Sequence, residues 1–148
     1  MINLIYLKNN YNQFNYCQFI VLILYINANV VVLINIVYWG ALIVKDRMII
    51  SDGYNGTPTG FENFCEDEEG YTKWYVLHAE ANAILKVAAS TQSCKGSTLY
   101  ITLSPCQSCS KLIHQAGITR VVYSQAYKDL SGVEFLEKAG IKVELQTL

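Results

Sequence analysis

Two short motifs constrain the fold of this 148-residue chain more than any other feature: His-x-Glu at residues 78–80 and Pro-Cys-x-x-Cys at residues 105–109. Each motif lies at the start of a predicted helix, and one helix and one strand are expected between them. Cysteines three positions apart project from one face of a helical turn, so Cys106 and Cys109 can reach a single ion. The chain is therefore expected to bring two helix starts together.

The donor atoms of these motifs are those that zinc prefers. His78, Cys106 and Cys109 supply three ligands, whereas a structural zinc takes four from the protein. Three ligands leave a position for water, whose pKa zinc lowers to about 7. Glu80 is near enough to His78 to reach that water and is predicted to transfer protons. The combination of the two motifs is typical of zinc deaminases.

A structural zinc or a redox-active cysteine pair is the alternative interpretation. A structural site would need a fourth ligand, and His114 is the nearest candidate. His114 lies beyond Cys109 on the same predicted helix, rotated away from the ligand face at 3.6 residues per turn. We interpret it as an ordinary helix residue.

Length, charge and cysteine content exclude several protein classes. The length fits one domain. The 11 basic and 12 acidic residues give a net charge of -1, which does not predict binding of a long nucleic acid but leaves a small anionic ligand open. Five cysteines, an odd number, and no signal sequence in view favour metal binding or thiols in a reducing cytoplasm over a secreted disulfide framework.

The N-terminal part of the chain differs in composition from the rest. Lys8 is the single charged residue among the first 44, and residues 19–39 are uncharged over nearly the length of a membrane span. Three asparagines and the lack of basic flanks weaken that interpretation, and the β-branched residues at 30–37 favour a buried strand. We therefore predict an atypical segment at 1–39, a catalytic domain at 40–148 and no membrane association.

Strands alternate with helices after residue 40, and this order predicts one α/β domain. We expect a long irregular loop at 51–75, which contains the acidic cluster 66–69. Right-handed crossovers between the strands predict a three-layer α/β/α sandwich with a mixed sheet. The predicted strands are 41–44, 48–50, 98–102, 120–123 and 142–145, and the predicted helices are 78–89, 106–116 and 133–139.

The two motifs, with the segments 40–44, 53–58 and 60–65, resemble the cytidine and deoxycytidylate deaminase superfamily, most closely the dCMP deaminases. The resemblance implies a cytidine deaminase-like fold, one catalytic zinc, homo-oligomers, and hydrolysis of dCMP to ammonia and dUMP, the precursor for dTMP synthesis. It also implies substrate contacts at Asn55, Ser104, Ala79 and Tyr127. A turn-forming role for Asn55 and simple aromatic packing for Tyr127 remain the alternatives.

The chain departs from this superfamily at three places. Members usually carry basic residues where this chain has Val37, Tyr38 and Trp39, so candidate phosphate contacts are missing and the first helix is expected to be absent or altered. Some phage members hold a second zinc through a cysteine at the position of Cys65, but its partners do not match here, and we expect Cys65 and Cys94 to be thiols outside any metal site. Regulation by dCTP and dTTP at the loop 53–56 is implied, although the missing basic residues argue against it.

Two other functions stay open. The chain could be another deaminase of the superfamily, acting on cytidine or on tRNA adenosine, and the handling of phosphate would discriminate these substrates. The candidate phosphate partners are Lys73, Lys111, Arg120 and Lys128. The chain could instead be an inactive zinc-binding assembly protein, although an intact Glu80 argues against this.

Overall fold

A computed structural model describes residues 3–8, 20–26, 29–33 and 40–146, with side chains described for 40–146. In the N-terminal segment, strands β1 (Asn3–Lys8), β2 (Ile20–Ile26) and β3 (Asn29–Leu33) pair antiparallel in the order β1-β2-β3. Strand β3 covers the first part of the strand predicted at 30–37. The predictions for Val37, Tyr38 and Trp39 lie outside the described residues. No helix in the described part of the chain is both long and apolar enough to cross a membrane.

The main sheet has five strands in the order β5-β4-β6-β7-β8. Strand β4 is antiparallel to both of its neighbours, whereas β6, β7 and β8 are parallel to one another. The sheet is therefore mixed, as predicted. The strand bounds are β4 Gly40–Lys45, β5 Met48–Tyr54, β6 Thr98–Leu103, β7 Arg120–Gln125 and β8 Lys142–Leu145.

The hairpin β4–β5 turns at Asp46 and Arg47, which have positive φ angles of 49° and 65°. This is the backbone of a two-residue hairpin turn whose twist matches that of the strands. Strand β5 continues to Tyr54, so the prediction that the loop begins at residue 51 is wrong. This stretch packs against the first helix, α1 (Ala79–Ala88), where Gly53 allows close approach and Oγ of Ser51 donates to the carbonyl of Ala83 at 2.8 Å.

Three helices cover one face of the sheet: α1 (Ala79–Ala88), α2 (Gln107–Gln115) and α3 (Ser131–Lys138). Helix α1 packs on β4 and β5, α2 contacts both other helices, and α3 contacts β8. The main core lies between these helices and the strand residues Ala41, Leu99, Ile101 and Val121. Gly117 and Gly140 have positive φ angles just after α2 and α3, as predicted for helix ends.

The opposite face of the sheet is also buried. Leu42, Tyr100 and Val122 lie beside one another in the strand register, and each side chain is at most 8% exposed. Burial of both faces is expected for a sheet at the centre of a layered α/β fold. The predicted α/β fold with a mixed sheet is confirmed, and the described helices form one of the two helix layers of the predicted α/β/α sandwich.

Candidate metal centre and active site

The ligand group, defined as His78, Cys106 and Cys109, converges on one point. His78 and Cys106 are the N-cap residues of α1 and α2, and both have an extended backbone. The ligand atoms of all three residues lie within 4.8 Å of one another. Nδ1 of His78 is 3.6 Å from Sγ of Cys106 and 3.5 Å from Sγ of Cys109. The two motifs meet as the sequence predicts.

These separations fit zinc. Zinc bonded to sulfur at about 2.3 Å and to nitrogen at about 2.05 Å, with tetrahedral angles, holds a sulfur and a nitrogen ligand about 3.6 Å apart. Among the residues with described side chains, one group of His, Cys, Asp or Glu residues is close enough together to share an ion. This group is His78, Cys106 and Cys109. The ring of His114 instead forms an edge-to-face pair with the ring of Phe135. The ligand group could therefore offer three protein ligands, the number typical of a catalytic zinc.

The ionisation of the two thiols is set by their contact with each other. Hydrogen bonds from Cys109 and from His78 lower the pKa of Cys106 to about 3. The hydrogen bond between Cys109 and Cys106, together with burial, raises the pKa of Cys109, and the hydrogen bond between His78 and Cys106 raises the pKa of His78. A bound cation among these atoms favours the ionised form of each thiol, so the group is suited to a positive ion.

Glu80 lies in the first turn of α1 and is 8% exposed. Burial of its carboxyl raises the pKa of Glu80, an effect that the charge of His78 partly offsets. A carboxyl with a raised pKa can both accept and release a proton near neutral pH. Glu80 is therefore suited to proton transfer beside the ligand group.

Asn55, at the end of β5, caps helix α1. No side-chain hydrogen bond from the N-cap residue His78 satisfies the first helical N–H groups. Instead, the backbone N–H of Ala79 donates to Oδ1 of Asn55 at 2.9 Å. The thiol of Cys65 in turn donates to the backbone carbonyl of Asn55, at an Sγ to O distance of 3.7 Å. The sequence predicted either a substrate contact or a turn-forming role for Asn55, and it did not predict this helix cap.

Ser104 and Tyr127 are joined by a hydrogen bond. The backbone N–H of Tyr127 donates to Oγ of Ser104 at 2.8 Å, and the backbone N–H of Ser104 donates to the carbonyl of Gln125 at the same distance. Ser104 is buried and Tyr127 is 38% exposed. The end of β6 therefore holds the segment that carries the Tyr127 ring.

A cavity of about 310 Å³ opens beside the ligand group. Its volume is at the lower end of the range for small-molecule sites. Cys109 is buried and is not among the lining residues. The lining includes seven of the eight predicted site residues: His78, Ala79, Glu80, Cys106, Asn55, Ser104 and Tyr127.

Sequence analysis missed Thr72, which also lines this cavity. Thr72 lies in the predicted loop, where it pairs with Glu66 in an isolated antiparallel bridge, and the N–H of Lys73 donates to the carbonyl of Cys65. These contacts fold residues 65–73 into a small hairpin whose tip is acidic. No local pattern in the sequence predicts that this hairpin reaches the cavity.

The candidate phosphate partners are spread over the molecule. Arg120 lies at the start of β7 and forms an ion pair with Glu144 on β8. None of the four predicted cations is among the described residues that line the cavity. Nζ of Lys128 lies 5.8 Å from the centre of the ring of Tyr127, a residue that does line the cavity. Of the four predicted cations, Lys128 is thus directly associated with a lining residue.

Comparison with known proteins identifies the family. The model of the cytidine and deoxycytidylate deaminase zinc-binding region matches residues 34–125, more than half of the chain. The chain belongs to this deaminase family. It is a family of zinc-binding enzymes, and the ligand group of this member could bind the metal.

Individual relatives of this deaminase are deoxycytidylate deaminases. The enzyme of Enterobacteria phage T4 is 34% identical, over 70% of this chain and 76% of the relative. The enzyme of Saccharomyces cerevisiae is 39% identical, over 70% of this chain and 36% of the relative. The dCMP deaminase from cyanophage S-TIM5, solved in complex with dCMP and dUMP, is 47% identical with a TM-score of 0.71, over 73% of this chain and 80% of that chain.

Proposed function

We propose that this family member is a zinc-dependent deaminase that hydrolyses dCMP to dUMP and ammonia. The observation that carries the proposal is the opening of the ligand group into a cavity that Glu80 also lines. A deaminase needs a metal ion, a proton carrier and a pocket for the base within reach of one another. The similarity to phage deoxycytidylate deaminases supports the choice of substrate.

The ligand group would hold zinc, which supplies a hydroxide nucleophile at neutral pH. Glu80 accepts the proton that water releases and passes it to N3 of the cytosine ring. After the oxygen has added to C4, Glu80 takes the remaining hydroxyl proton and delivers it to the amine at C4. The C4–N bond then breaks and ammonia leaves, while the oxygen stays on C4 as the carbonyl of uracil. The raised pKa of Glu80 suits it to both proton transfers.

The remaining lining residues would hold the nucleotide. Because Oδ1 of Asn55 accepts from Ala79, its Nδ2 amide group remains to donate a hydrogen bond to the sugar or the base edge. Tyr127 offers a partly exposed ring, and Lys128 beside it offers a cation for the phosphate. Ala79 and Ser104, which also line the cavity, would complete the wall of the base pocket.

A substrate comparison tests this proposal. Zinc-loaded protein is assayed for ammonia release with dCMP, deoxycytidine, cytidine and a tRNA anticodon stem. We expect dCMP to have the highest kcat/KM, and replacement of Lys128 by Met to reduce the preference for dCMP over deoxycytidine. Zinc binding without deamination of any of these substrates would support an assembly protein instead, and equal rates with dCMP and deoxycytidine would contradict a phosphate contact.

The proposal assigns this activity to residues 40–148, with 1–39 as an atypical segment. We further propose that the protein is cytoplasmic, because the thiol ligands need a reducing compartment, and that it forms homo-oligomers. Light scattering on the purified protein tests the assembly, and a monomer at micromolar concentration would contradict it. Assays with added dCTP and dTTP test regulation at the loop 53–56, and unchanged dCMP kinetics would exclude it.

A further inference from the structure

Two glycines in this fold have no room for a side chain. A Cβ atom on Gly53 would lie 2.0 Å from the carbonyl oxygen of Ala79 and 2.7 Å from the backbone nitrogen of Ala83. A Cβ atom on Gly132 would lie 2.2 Å from the carbonyl oxygen of Pro105 and 2.9 Å from the carbonyl carbon of Cys106. Nonpolar contacts have their optimum near 3.5 to 4.0 Å, so both positions exclude even alanine.

At each glycine, the atom closest to the added Cβ position belongs to one of the two zinc motifs. Ala79 is the central residue of the His-x-Glu motif, and Pro105 and Cys106 begin the Pro-Cys-x-x-Cys motif. Gly53 lies on β5 and Gly132 in the first turn of α3. Each motif is therefore packed backbone to backbone against a different neighbouring element.

Gly53 and Gly132 are required because there is no space for a side chain, and not because of their backbone conformation. Gly60 and Gly140 have positive φ angles, and a Cβ atom on either would meet nothing within 4 Å, so glycine serves the turn at those sites. Gly53 and Gly132 are not among the glycines with positive φ. Their lack of a side chain instead allows the backbone of a neighbouring element to approach closely.

The crowding at Gly132 cannot be relieved by rotation of a side chain alone. Oγ of Ser110 is 2.6 Å from the added Cβ position and could move, but it donates a hydrogen bond of 2.9 Å to the carbonyl of Cys106. The carbonyl of Pro105 is part of the backbone. A methyl group at residue 132 must therefore shift either α3 or the turn that carries Cys106.

We propose that Gly53 and Gly132 are positioning residues that set the distance between the two halves of the zinc site. Gly53 fixes the start of α1 with His78 and Glu80, and Gly132 fixes the start of α2 with Cys106 and Cys109. The inference rests on the zinc site of the proposed function. Ligands must meet the metal within about 0.2 Å of their ideal distances, whereas relief of these contacts needs a shift on the order of 1 Å.

The experiment compares Gly132→Ala with Gly140→Ala, a matched control near the other end of the same helix. Zinc affinity is measured by competition with a chelator, and ligand geometry by the absorption bands of bound Co²⁺. We expect Gly132→Ala to raise the Kd for zinc at least tenfold and to shift the Co²⁺ bands. Gly140→Ala should lower the Tm and leave both quantities within twofold of the wild type. Folded Gly132→Ala with wild-type zinc affinity and Co²⁺ spectrum would overturn the proposal.

Two further variants decide the question if Gly132→Ala does not fold. Ser110→Ala removes the hydrogen bond to the carbonyl of Cys106 at the same contact, and we expect a severalfold rise in the Kd for zinc. Gly53→Ala should weaken zinc binding through the other half of the site, with Gly60→Ala in the adjacent loop as its control. Wild-type zinc affinity in both Ser110→Ala and Gly53→Ala would also overturn the proposal.

These measurements use no substrate, so they separate the two proposals. A wild-type protein that binds zinc but releases no ammonia from dCMP would contradict the proposed function alone. If the wild type deaminates dCMP and both glycine variants bind zinc with the wild-type Kd, the positioning role alone is contradicted.

Discussion

Oδ1 of Asn55 accepts a hydrogen bond from the backbone N–H of Ala79 at 2.9 Å, and this contact joins the end of β5 to the start of the helix that carries His78 and Glu80. One side chain thus caps a helix and lines the cavity. The cap uses the oxygen of the amide, so the nitrogen is left to meet a ligand. The two roles fall on different atoms and can be separated by substitution.

Asn55→Asp should separate the cap from the substrate contact. A carboxylate still accepts the N–H of Ala79 and is favoured at a helix N-terminus, so the free energy of unfolding should stay within about 1 kcal/mol of the wild type. The N–H donor is lost, and we expect kcat/KM for dCMP to fall at least about tenfold, or about 1.4 kcal/mol. Asn55→Ala should lose both the cap and the contact. Urea denaturation and steady-state kinetics provide the two measurements, and near-normal kinetics for Asn55→Asp would exclude the donor role.

Glu80→Gln should stop deamination without releasing zinc. The amide cannot carry a proton, and loss of a general acid–base group reduces kcat by about 10²- to 10⁴-fold. The ligand group is untouched, so metal analysis should still find about one zinc per chain, the number that one three-ligand site holds. Glu62→Gln, at an exposed acidic residue of the loop, is the control and should behave as the wild type. Zinc loss in Glu80→Gln would mean that the carboxyl acts as a ligand.

Cys106 should be unusually reactive in protein stripped of zinc. Because its pKa is lowered to about 3, the thiolate persists as the pH falls from 8 to 5, whereas an ordinary thiol loses about tenfold of its thiolate per pH unit below about 8.5. Iodoacetamide at pH 6 should therefore label Cys106 before Cys94, whose pKa is raised by burial. Mass spectrometry of the digested protein gives the order of labelling. Added zinc should protect Cys106, and equal labelling of both cysteines at pH 6 would be incompatible with this ionisation.

Ser104→Ala should weaken substrate binding through Tyr127. The substitution leaves the N–H of Tyr127 without its acceptor, at a cost of about 1 kcal/mol, and frees the segment that holds the ring. We expect KM for dCMP to rise by about three- to tenfold, with a smaller change in kcat. Ser124→Ala removes a similar hydroxyl on β7, which bonds to Thr102, and serves as the control. If KM is the same in both variants, Ser104 does not position Tyr127.

The order of strands and helices could be predicted from the sequence because each element has a local pattern. The helix starts at His78 and Cys106, the glycines after α2 and α3, and the hairpin at 45–48 all follow from neighbouring residues. The convergence of the ligand group also follows, because the metal-binding pattern itself requires it. The end of β5 was missed because its polar residues and glycine have the composition of a loop.

The rest of the site depends on contacts between distant segments. The cap at Asn55, the hydrogen bond from Tyr127 to Ser104 and the approach of Gly132 to Pro105 join residues more than 20 positions apart. Thr72 reaches the cavity through a hairpin with no strand pattern of its own. Such contacts are decided by how the elements pack, and hydrophobic periodicity carries no information about them.

The pairing of β4 with β6 has a consequence for how the protein folds. The hairpin β4–β5 and the units β6–β7 and β7–β8 each join segments that are near in sequence, whereas β4 meets β6 through residues as distant as Ala41 and Ile101. Contacts that close long loops form slowly. Helix α1 packs on the hairpin side of this junction and brings His78, while the cysteines belong to the other side. We therefore expect the nascent chain to gain high affinity for the ion only in its last folding step, when the two halves join.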